Sequence, residues 1–459
     1  GFGNAQSLNV NSSFNIQLSG MITDDIEVKA AITDNNIPIQ PEGNTAQLQE
    51  FDKVFIQLRK DQHFLTVGDF DLKSSPGYFM KFQRNLQGAS YQGSQAINEF
   101  GIASGMASFA ISRGKFVINN ISAQEGNQGP YRLSGPNGET FIIVLGGSER
   151  VFINGVLQDR GDNSDYTIDY NVGEITFTPN KMVTQDMRIR VEFEYADRYF
   201  LRSLYHVNGG FEHDKFKTEI NFFSQQDAKS QAINQDLNND RTQVLENAGD
   251  NLLNALASGV NAVEFDESRV LYEKKDTLIN GAIDTFYVYS TNENIQLYSL
   301  SFSLVGEGLG SYNPINAVAN GRVFEYLGPG NGGYLPVIQL VAPQKQQLLS
   351  SRFTYTPNKQ TALGFELALS NQDLNTFSDL DAGDNIGLGM NLFINQDIRL
   401  KKDTLKTILL TGNYEFKQSK FVPLERYRAV EFSRNFSFTD TLNRDEHLAN
   451  IGFKLSKSN

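Results

Sequence analysis

The regular pattern of this chain begins at residues 14–32, which read FNIQLSGMITDDIEVKAAI. Apolar and polar side chains alternate over residues 14–18 and again over residues 26–32. A period of two is typical of a β-strand with one apolar face and one polar face. Asp24 and Asp25 lie between the two runs, so the stretch predicts an antiparallel hairpin.

The same hairpin unit recurs along the chain. Further alternating runs pair residues 54–59 with 64–69, 102–111 with 116–121, 204–210 with 216–223, 353–355 with 363–369, 386–394 with 405–411, and 430–432 with 451–455. Residues 298–304 alternate apolar side chains with serines and predict one more strand. The count is about 14 strands. A strand at 295–305 breaks the alternation of strand directions in an up-and-down sheet unless residues 78–84 or 283–289 form a further strand of the same sheet.

The connections between these strands are unequal in length. Turns within hairpins are short and polar, whereas the links between hairpins are long: 33–51, 70–101, 122–202, 224–294, 306–346 and 370–385. Short turns at one end and long loops at the other are typical of outer-membrane barrels, and a soluble sandwich has no reason for this segregation. We therefore predict an all-β fold, an outer-membrane antiparallel β-barrel whose apolar faces contact lipid.

The composition argues against several other classes of protein. Lys and Arg number 40 against 53 Asp and Glu, and the net charge of −13 disfavours nucleic acid as a partner. The longest apolar run, 141–145, is far shorter than the about 20 residues that a spanning helix needs. The absence of cysteine excludes disulfides and thiolate nucleophiles, and no GxSxG elbow is present. We expect no enzyme activity and no cofactor other than the calcium ion considered below.

One insertion is predicted to be a domain of its own, at residues 127–199. Its short strands are predicted at 131–133, 141–145, 150–153, 166–168, 175–178 and 189–195, with Asn154-Gly155 as a strong hairpin signal. This density of strands predicts a small β-sandwich that serves as a plug or docking module. Its candidate interaction residues are aromatic: Tyr131, Phe152, Tyr166, Tyr170 and Tyr195.

The predicted division of the chain follows from these patterns. Barrel hairpins occupy 1–126, the inserted sandwich 127–199, one barrel hairpin 200–223, a long loop region 224–346, and further barrel hairpins 347–459. The loop region contains extra strands and a short helix predicted within 242–257 from its helical spacing of apolar residues. The chain starts at Gly1 without a signal peptide, so we expect a mature or trimmed chain.

One loop has the residue types of a cation site. Asp379, Asp381 and Asp384 surround Gly383, and carboxylates at alternate positions with a turn glycine resemble part of a calcium loop. The glutamate that completes an EF-hand loop is missing, and a polar exposed loop is the alternative interpretation. The four histidines show no zinc-binding spacing.

Aromatic residues cluster near predicted strand ends. They are Tyr78, Phe79, Phe82, Tyr195, Tyr199, Phe200 and Tyr205. In a barrel such residues form interfacial girdles, which is the interpretation we place first. A glycan or protein surface and simple core packing are the alternatives.

Several stretches resemble a family of large outer-membrane proteins of Bacteroidota. They are DNNIPIQPEGNT at 34–45 with FDKVFI at 51–56, GGSERVFING at 146–155 with DYTIDY at 165–170, and LNTFSDLD at 374–381. The resemblance spans most of the chain. These motifs are specific to the family but carry no known chemistry.

A more distant resemblance concerns Val67-Gly68-Asp69 at a predicted strand end, followed by a segment with glycine and serine. This arrangement is similar to the pore protein of the type IX secretion translocon, which is much longer. A small domain inserted between strands is also similar to the plug of fimbrial ushers. These resemblances imply a barrel that passes or assembles other polypeptides.

The function expected from the sequence is therefore that of a non-enzymatic component of an outer-membrane machine for protein export or surface assembly. Its expected location is the cell outer membrane. Its expected partners are the lipid bilayer, lipopolysaccharide and other outer-membrane or periplasmic subunits. One alternative is a soluble or lipid-tethered all-β surface protein that binds glycans or proteins. Another is a passive porin with a charged constriction.

Overall fold

The structure is a computed structural model. It describes residues 15–33, 53–74, 77–97, 100–112, 114–136, 139, 142–196, 199–279, 282–315, 321–380, 382–399, 406–438 and 444–457. The chain divides into two compact units. We call them the wall unit, with residues up to 234, 344–373 and 383 onwards, and the insertion unit, with residues 235–343 and 374–382.

The described residues contain 30 strands and two α-helices. The first strands are β1 (Asn15–Thr23), β2 (Ile26–Thr33), β3 (Lys53–Lys60), β4 (His63–Lys73), β5 (Gln83–Ala96), β6 (Ile102–Ser112), β7 (Gly114–Ser122), β8 (Tyr131–Arg132), β9 (Arg150–Ile153), β10 (Val156–Leu157), β11 (Tyr166–Asp169), β12 (Glu174–Phe177), β13 (Arg188–Ala196), β14 (Phe200–His213) and β15 (Phe216–Ala232). The insertion unit contains α1 (Asn239–Ala248), β16 (Leu256–Ser258), β17 (Val260–Val263), β18 (Tyr272–Ile279), β19 (Ala282–Tyr289), β20 (Leu297–Leu300), β21 (Ser303–Leu304), β22 (Tyr312–Pro314), β23 (Phe324–Tyr326), β24 (Tyr334–Leu335) and β25 (Val337–Gln339). The wall unit then continues with β26 (Lys345–Asn358), β27 (Thr361–Asp373), β28 (Ile386–Arg399), β29 (Lys406–Lys417), α2 (Phe432–Asn435) and β30 (Glu446–Lys457).

The wall unit is built on one antiparallel sheet of 13 strands. Their order is β1-β2-β3-β4-β5-β6-β14-β15-β26-β27-β28-β29-β30, so neighbours in the sheet are neighbours in the chain except where a domain is inserted. This sheet confirms the predicted fold class, with 13 strands in place of about 14. Since each pairing is antiparallel, β1 and β30 run in the same direction, and within the described residues they do not pair with each other.

Alternation along the strands produces two different faces. On β27 the apolar side chains Leu363, Phe365, Leu367 and Leu369 are exposed, while the intervening Glu366 is buried. The register continues this outward face, since Leu367 lies opposite Ser351 on β26 and Met390 on β28. Further outward apolar side chains include Ile16, Leu18, Ile56, Val67, Phe109, Val207, Ile220, Leu349, Leu392, Ile394, Ile451 and Phe453. The period-two pattern of the sequence is therefore the pattern of the wall.

The two ends of the large sheet differ. Short turns join β1 to β2, β3 to β4, β14 to β15 and β26 to β27 at one end, which we call the turn end. At the other, the loop end, the connections are 74–82, the inserted domain between β6 and β14, the whole insertion unit, 374–385 and 418–445. The predicted asymmetry of the connections is present.

Three strands are placed differently from the prediction, and residues 430–432, predicted as a strand that pairs with 451–455, lie between β29 and β30, where α2 begins. The region 70–101, expected to be a long link, contains the wall strand β5, whose alternation is weak because glycine, serine and glutamine fill it. Strand β20 belongs to a sheet of the insertion unit and not to the wall. Strand β7, expected to pair with β6, instead pairs with β13, because after residue 112 the chain leaves the wall.

The inserted domain is a small sandwich of two sheets, ordered β10-β9-β13-β7 and β11-β12-β8. Its core contains Val151, Ile153, Ile175, Phe177, Ile189, Val191 and Phe193, all buried. The turn between β9 and β10 is Asn154-Gly155, and both residues have positive φ, as the sequence signal requires. We call this domain the sandwich; it begins with β7, upstream of residue 127, where the sequence placed its start.

The insertion unit contains three small sheets, β16-β25, β17-β20-β18-β19 and β21-β24-β22-β23. Its helix α1 begins after Asn238, whose side chain accepts a hydrogen bond from the Arg241 amide, and ends at Gly249. The helix predicted within 242–257 exists but is shifted towards the N-terminus. Within the described residues neither helix is long and apolar enough to cross a bilayer.

Candidate functional site: the occupied interior of the wall

Two connecting segments lie inside the large sheet. We call them the inner loop (residues 77–82, between β4 and β5) and the strap (residues 418–438, between β29 and β30). The inner loop leaves the sheet at its fourth strand and returns at its fifth, yet its polar contacts are with the tenth and twelfth, β27 and β29. A flat sheet could not bring these strands together, so the sheet is curled around the inner loop as the wall of a barrel.

Two inward carboxylates hold the inner loop in place. Glu366 on β27 accepts the backbone N–H groups of Tyr78 and Phe79, at 2.7 and 2.9 Å. Glu415 on β29 accepts the hydroxyls of Tyr78 and Tyr427, at 2.5 and 2.7 Å. Burial, followed by the neighbouring Glu415, raises the pKa of Tyr78, so the phenol remains a donor. The wall therefore binds both the inner loop and the strap through carboxylates.

Two glycines on β28 allow the close approach of these segments. A Cβ atom at Gly387 would overlap the backbone of Phe421 in the strap. One at Gly389 would lie 3.1 Å from the ring of Phe79 in the inner loop. Both positions face inwards, so the absence of side chains there creates the space that the two segments occupy.

An apolar cluster fills the space between the segments and the wall. The rings of Phe79 and Phe421 meet edge to face with centroids 5.2 Å apart, and Tyr427 packs against Phe79. The cluster also contains Leu72, Met80, Phe82, Leu86, Ala110, Leu204, Phe223, Leu348, Ala368 and Leu424. These residues come from seven different wall strands as well as from both segments, so a packed apolar cluster occupies the interior at this level.

The strap also contacts the sandwich, and the contact is made by the charged outer face of the sandwich. On strands β9 and β13 the side chains of Val151, Val191 and Phe193 point into the sandwich core. The side chains at the alternate positions of these strands therefore point the other way, towards the strap. On that face Arg188 pairs with Glu431 at 2.8 Å. The guanidinium of Arg426 lies over the ring of Phe152 at 5.1 Å.

Six buried or half-buried charges form a continuous layer between wall, strap and sandwich. We call it the charge layer: Arg84 of the wall, Glu425 and Arg426 of the strap, and Arg150, Glu192 and Glu194 of the sandwich. Arg84 pairs with Glu425 and, at 2.8 Å, with Glu194. Arg150 pairs with Glu425 at 2.5 Å and with Glu192 at 3.3 Å. Arg426 completes the layer by pairing with Glu192 at 2.7 Å.

The electrostatics of the charge layer depend on complete pairing. Arg84 is only 3% exposed, and a buried charge without a partner is strongly destabilising. Burial raises the pKa of Glu194, and the neighbouring Arg84 opposes that shift. A second buried pair at the same end of the wall joins Arg202 on β14 to Asp227 on β15 at 2.6 Å.

The sandwich has a polar cluster of its own around Glu149. One oxygen of Glu149 accepts hydrogen bonds from Arg160 at 3.1 Å and from the Tyr170 hydroxyl at 3.0 Å. Tyr166 contacts the same oxygen at 3.4 Å. The other oxygen, Oε2, is buried and has no hydrogen-bond partner among the described residues. Burial raises the pKa of Glu149, which favours a proton on that carboxyl.

The structure places the five aromatic residues that were predicted to interact mainly inside the sandwich. Tyr131, Tyr166 and Tyr195 belong to its core, and Tyr170 packs against that core. Phe152 is buried beneath Arg426. These positions give the residues a packing role and leave little of their surface for a separate partner.

The aromatic residues predicted to form a girdle divide between inside and outside. Phe79, Phe82 and Phe200 are buried in the wall unit, because their segments or their strand positions face inwards. Tyr205 is exposed on the outward face, with its ring 5.1 Å from that of Phe109. The girdle prediction is wrong for the buried residues and suits the position of Tyr205.

The predicted calcium loop is only partly described. Asp381 lies outside the described residues, while Asp379 and Asp384 belong to different units. Among the described residues no group of three or more His, Cys, Asp or Glu side chains lies close enough together to hold a metal ion. The calcium site remains a prediction.

Sequence reasoning missed the residues that organise the interior. Glu366 and Glu415 are single carboxylates at inward positions of strands β27 and β29, and Arg84 is a single arginine on β5. For Glu366, a charge at the centre of a strand whose other face is apolar was a usable signal. Several of their partners, however, lie far away in the sequence: Tyr78 is 288 residues from Glu366 and 337 from Glu415, and Glu425 is 341 residues from Arg84.

Comparisons with known proteins agree with this division of the chain. A family model described as "Domain of unknown function (DUF8818)" matches residues 116–197, which correspond closely to the sandwich from β7 to β13. No curated protein matches the chain.

Among solved structures, OmpT, an outer membrane protein of Vibrio cholerae, is 8% identical with a TM-score of 0.23, over 88% of this chain and 80% of that one. OccK8 (OprE) of Pseudomonas aeruginosa is 8% identical with a TM-score of 0.20, over 97% and 88%. OccAB4 of Acinetobacter baumannii is 9% identical with a TM-score of 0.16, over 87% and 83%. At these scores the likeness carries no argument, and the fold rests on the sheet of this chain.

Proposed function

We propose that this chain forms a non-enzymatic β-barrel of the cell outer membrane that serves, with other subunits, in the export or surface assembly of proteins. The observation that carries the membrane location is the outward face of the large sheet. Apolar side chains occupy alternate positions on strand after strand and remain exposed. Soluble proteins rarely expose a continuous apolar surface of this extent, whereas a bilayer covers it.

The occupied interior favours a role other than that of a passive porin. A porin keeps a polar, water-filled channel. Here the inner loop and the strap pack an apolar cluster across the wall interior, and Glu366 and Glu415 bind them there. The barrel therefore acts as a gated or scaffolding wall.

The two insertions favour work with protein partners. The sandwich lies between β6 and β14, and the insertion unit lies between β15 and β26. Folded domains carried at the loop end of a wall enlarge the surface for docking other subunits. The lipid bilayer, lipopolysaccharide and outer-membrane or periplasmic subunits are the proposed partners.

The membrane location is tested by fractionation of cells with a carbonate or urea wash, followed by gel electrophoresis with and without heating. We expect the protein to stay in the outer membrane and to change mobility on heating. Release by the wash, with unchanged mobility, would instead support a soluble surface protein whose apolar faces pack against other proteins.

The role in a machine is tested by mild cross-linking in intact cells and purification in detergent. We expect defined outer-membrane or periplasmic subunits to copurify in a fixed ratio. A barrel that purifies alone and conducts small ions steadily would support a passive porin and overturn the machine role.

A further inference from the structure

We propose that the sandwich and the strap together form a lid that closes the barrel interior and that the charge layer is its releasable latch. This inference rests on the proposed membrane barrel and adds the device that controls its passage. The strap is the link, because its Phe421 and Tyr427 lie in the interior while its Glu425, Arg426 and Glu431 pair with the sandwich or the wall.

The attachment of the sandwich suits a lid. Its chain leaves the wall at the end of β6 and returns at the start of β14, and these strands are paired neighbours, with Arg202 opposite Ser112. The two chain connections between the sandwich and the wall are thus next to each other at the loop end of the wall. The sandwich is also held by non-covalent contacts, which include the charge layer, the pair between Arg188 and Glu431, and the rings of Phe152 and Phe116 beneath Arg426 and Arg84.

The chemistry of the contact suits reversible opening. The core of the sandwich is apolar, but the face that meets the strap consists of arginine and glutamate around Phe152. When such a contact opens, each charge regains its hydration, which offsets much of the lost pairing. An apolar contact has no equivalent compensation. The charge layer is therefore specific when closed and separable when a partner binds the sandwich.

Glu425 is central to the latch because it pairs with both Arg84 of the wall and Arg150 of the sandwich. Replacing it with glutamine keeps the shape and removes the charge that joins the two arginines. We expect Glu425→Gln to raise the open probability of the purified barrel at least tenfold, as measured by potassium chloride conductance in planar bilayers.

A cross-link provides the matched test. The chain has no cysteine, so a short bis-thiosulfonate reagent will join only introduced thiols. Arg188→Cys with Glu431→Cys replaces a pair that lies 2.8 Å apart between strap and sandwich. Cross-linking this pair in the Glu425→Gln background should return conductance to the closed level. The control is Arg132→Cys with Glu174→Cys, which replaces an ion pair 2.7 Å long whose two residues both belong to the sandwich. Cross-linking this control pair should leave conductance high.

A second measurement follows the interior directly. Met80 in the inner loop is 2% exposed, so a thiol in Met80→Cys should react slowly with a maleimide. We expect Glu425→Gln to accelerate that reaction at least tenfold. Equal conductance and equal labelling with and without Glu425→Gln, in protein that still shifts on heating, would overturn the latch alone. Failure of every variant and of the parent to shift on heating would instead overturn the membrane barrel.

Discussion

Glu149 shows how one buried carboxyl can make the stability of the sandwich depend on pH. It is buried with one oxygen shared among Arg160, Tyr166 and Tyr170, and the other oxygen without a partner among the described residues. Burial raises its pKa above the ordinary value of 4.5, against the opposing effect of Arg160. The folded sandwich therefore holds a proton on this carboxyl more tightly than the unfolded chain does.

This pKa shift has a definite sign for stability. Where the folded state binds more protons than the unfolded state, the free energy of unfolding falls as pH rises. We expect protection of the β11 and β12 amides from hydrogen exchange, corrected for intrinsic rates, to fall from pH 4.5 towards neutral. Glu149→Gln should flatten that dependence, whereas Glu174→Gln, on the sandwich surface, should retain it. Identical slopes in the parent and in Glu149→Gln would contradict this prediction.

Gly387 has a comparable role in the wall. A methyl group there would overlap the backbone of Phe421, which cannot move without dislodging the strap. We expect Gly387→Ala to lower the free energy of unfolding by about 1–3 kcal/mol, as overpacking does. The temperature of the heat-induced gel shift provides the measurement. Gly209→Ala is the control, because a Cβ there meets nothing within 4 Å, and an equal effect in both variants would refute the argument.

At the scale of elements, each wall strand has two faces in different environments. On β27 Leu367 is 41% exposed, while Glu366 beside it is buried and binds the inner loop. The same strand thus contacts the proposed lipid and the packed interior through alternate residues. A one-residue slip in register would exchange the two sets, so both environments fix the register.

A lysine on the outward face tests the lipid environment of β27. We expect Leu367→Lys to cost about 2–4 kcal/mol in folding into lipid vesicles, the penalty for a cation near the middle of a membrane barrel. Leu278→Lys in the insertion unit replaces a leucine that is 73% exposed outside the wall and should have little effect. Equal folding yields for the two variants in vesicles would argue against lipid contact at Leu367.

At the scale of the molecule, each of the two insertions interrupts the wall between strands that pair with each other. The insertion unit leaves after β15 and returns before β26, which are paired strands, and the Asp227 amide donates to the Gln344 carbonyl at 2.9 Å. The sandwich is inserted in a similar way, but it also shares the charge layer with the wall and the strap.

Excision of each insertion should therefore have different results. Replacing residues 235–342 with a short glycine-serine linker should leave the heat-induced gel shift of the wall within a few degrees of the parent. Replacing residues 115–196 leaves Arg84 and Glu425 without the sandwich partners Glu194 and Arg150. That excision should lower the temperature of the shift and open the interior to maleimide labelling. Similar behaviour of the two excisions would contradict the role given to the charge layer.

Much of the wall could be predicted from local sequence. The period-two runs at 363–369 and 386–394 appear as β27 and β28 with the expected outward residues. The Asn154-Gly155 signal gave the turn between β9 and β10. Strand β5 was missed because its outward positions carry Gln87, Ala89, Gly93 and Gln95, with Tyr91 as the one large side chain among them. Strand β7 has the same local pattern as a wall strand, so only its pairing partner assigns it to the sandwich.

The sequence by itself determined the all-β class, the outward apolar pattern and the asymmetry of the connections, because alternation and turn residues act between near neighbours in the chain. Only the tertiary structure decided what fills the wall. Tyr78 meets Glu366 and Glu415 across more than 280 residues, and Arg84 meets Glu425 across 341. Such pairs form only after the sheet curls, since the curl brings its fourth and fifth strands opposite its tenth and twelfth.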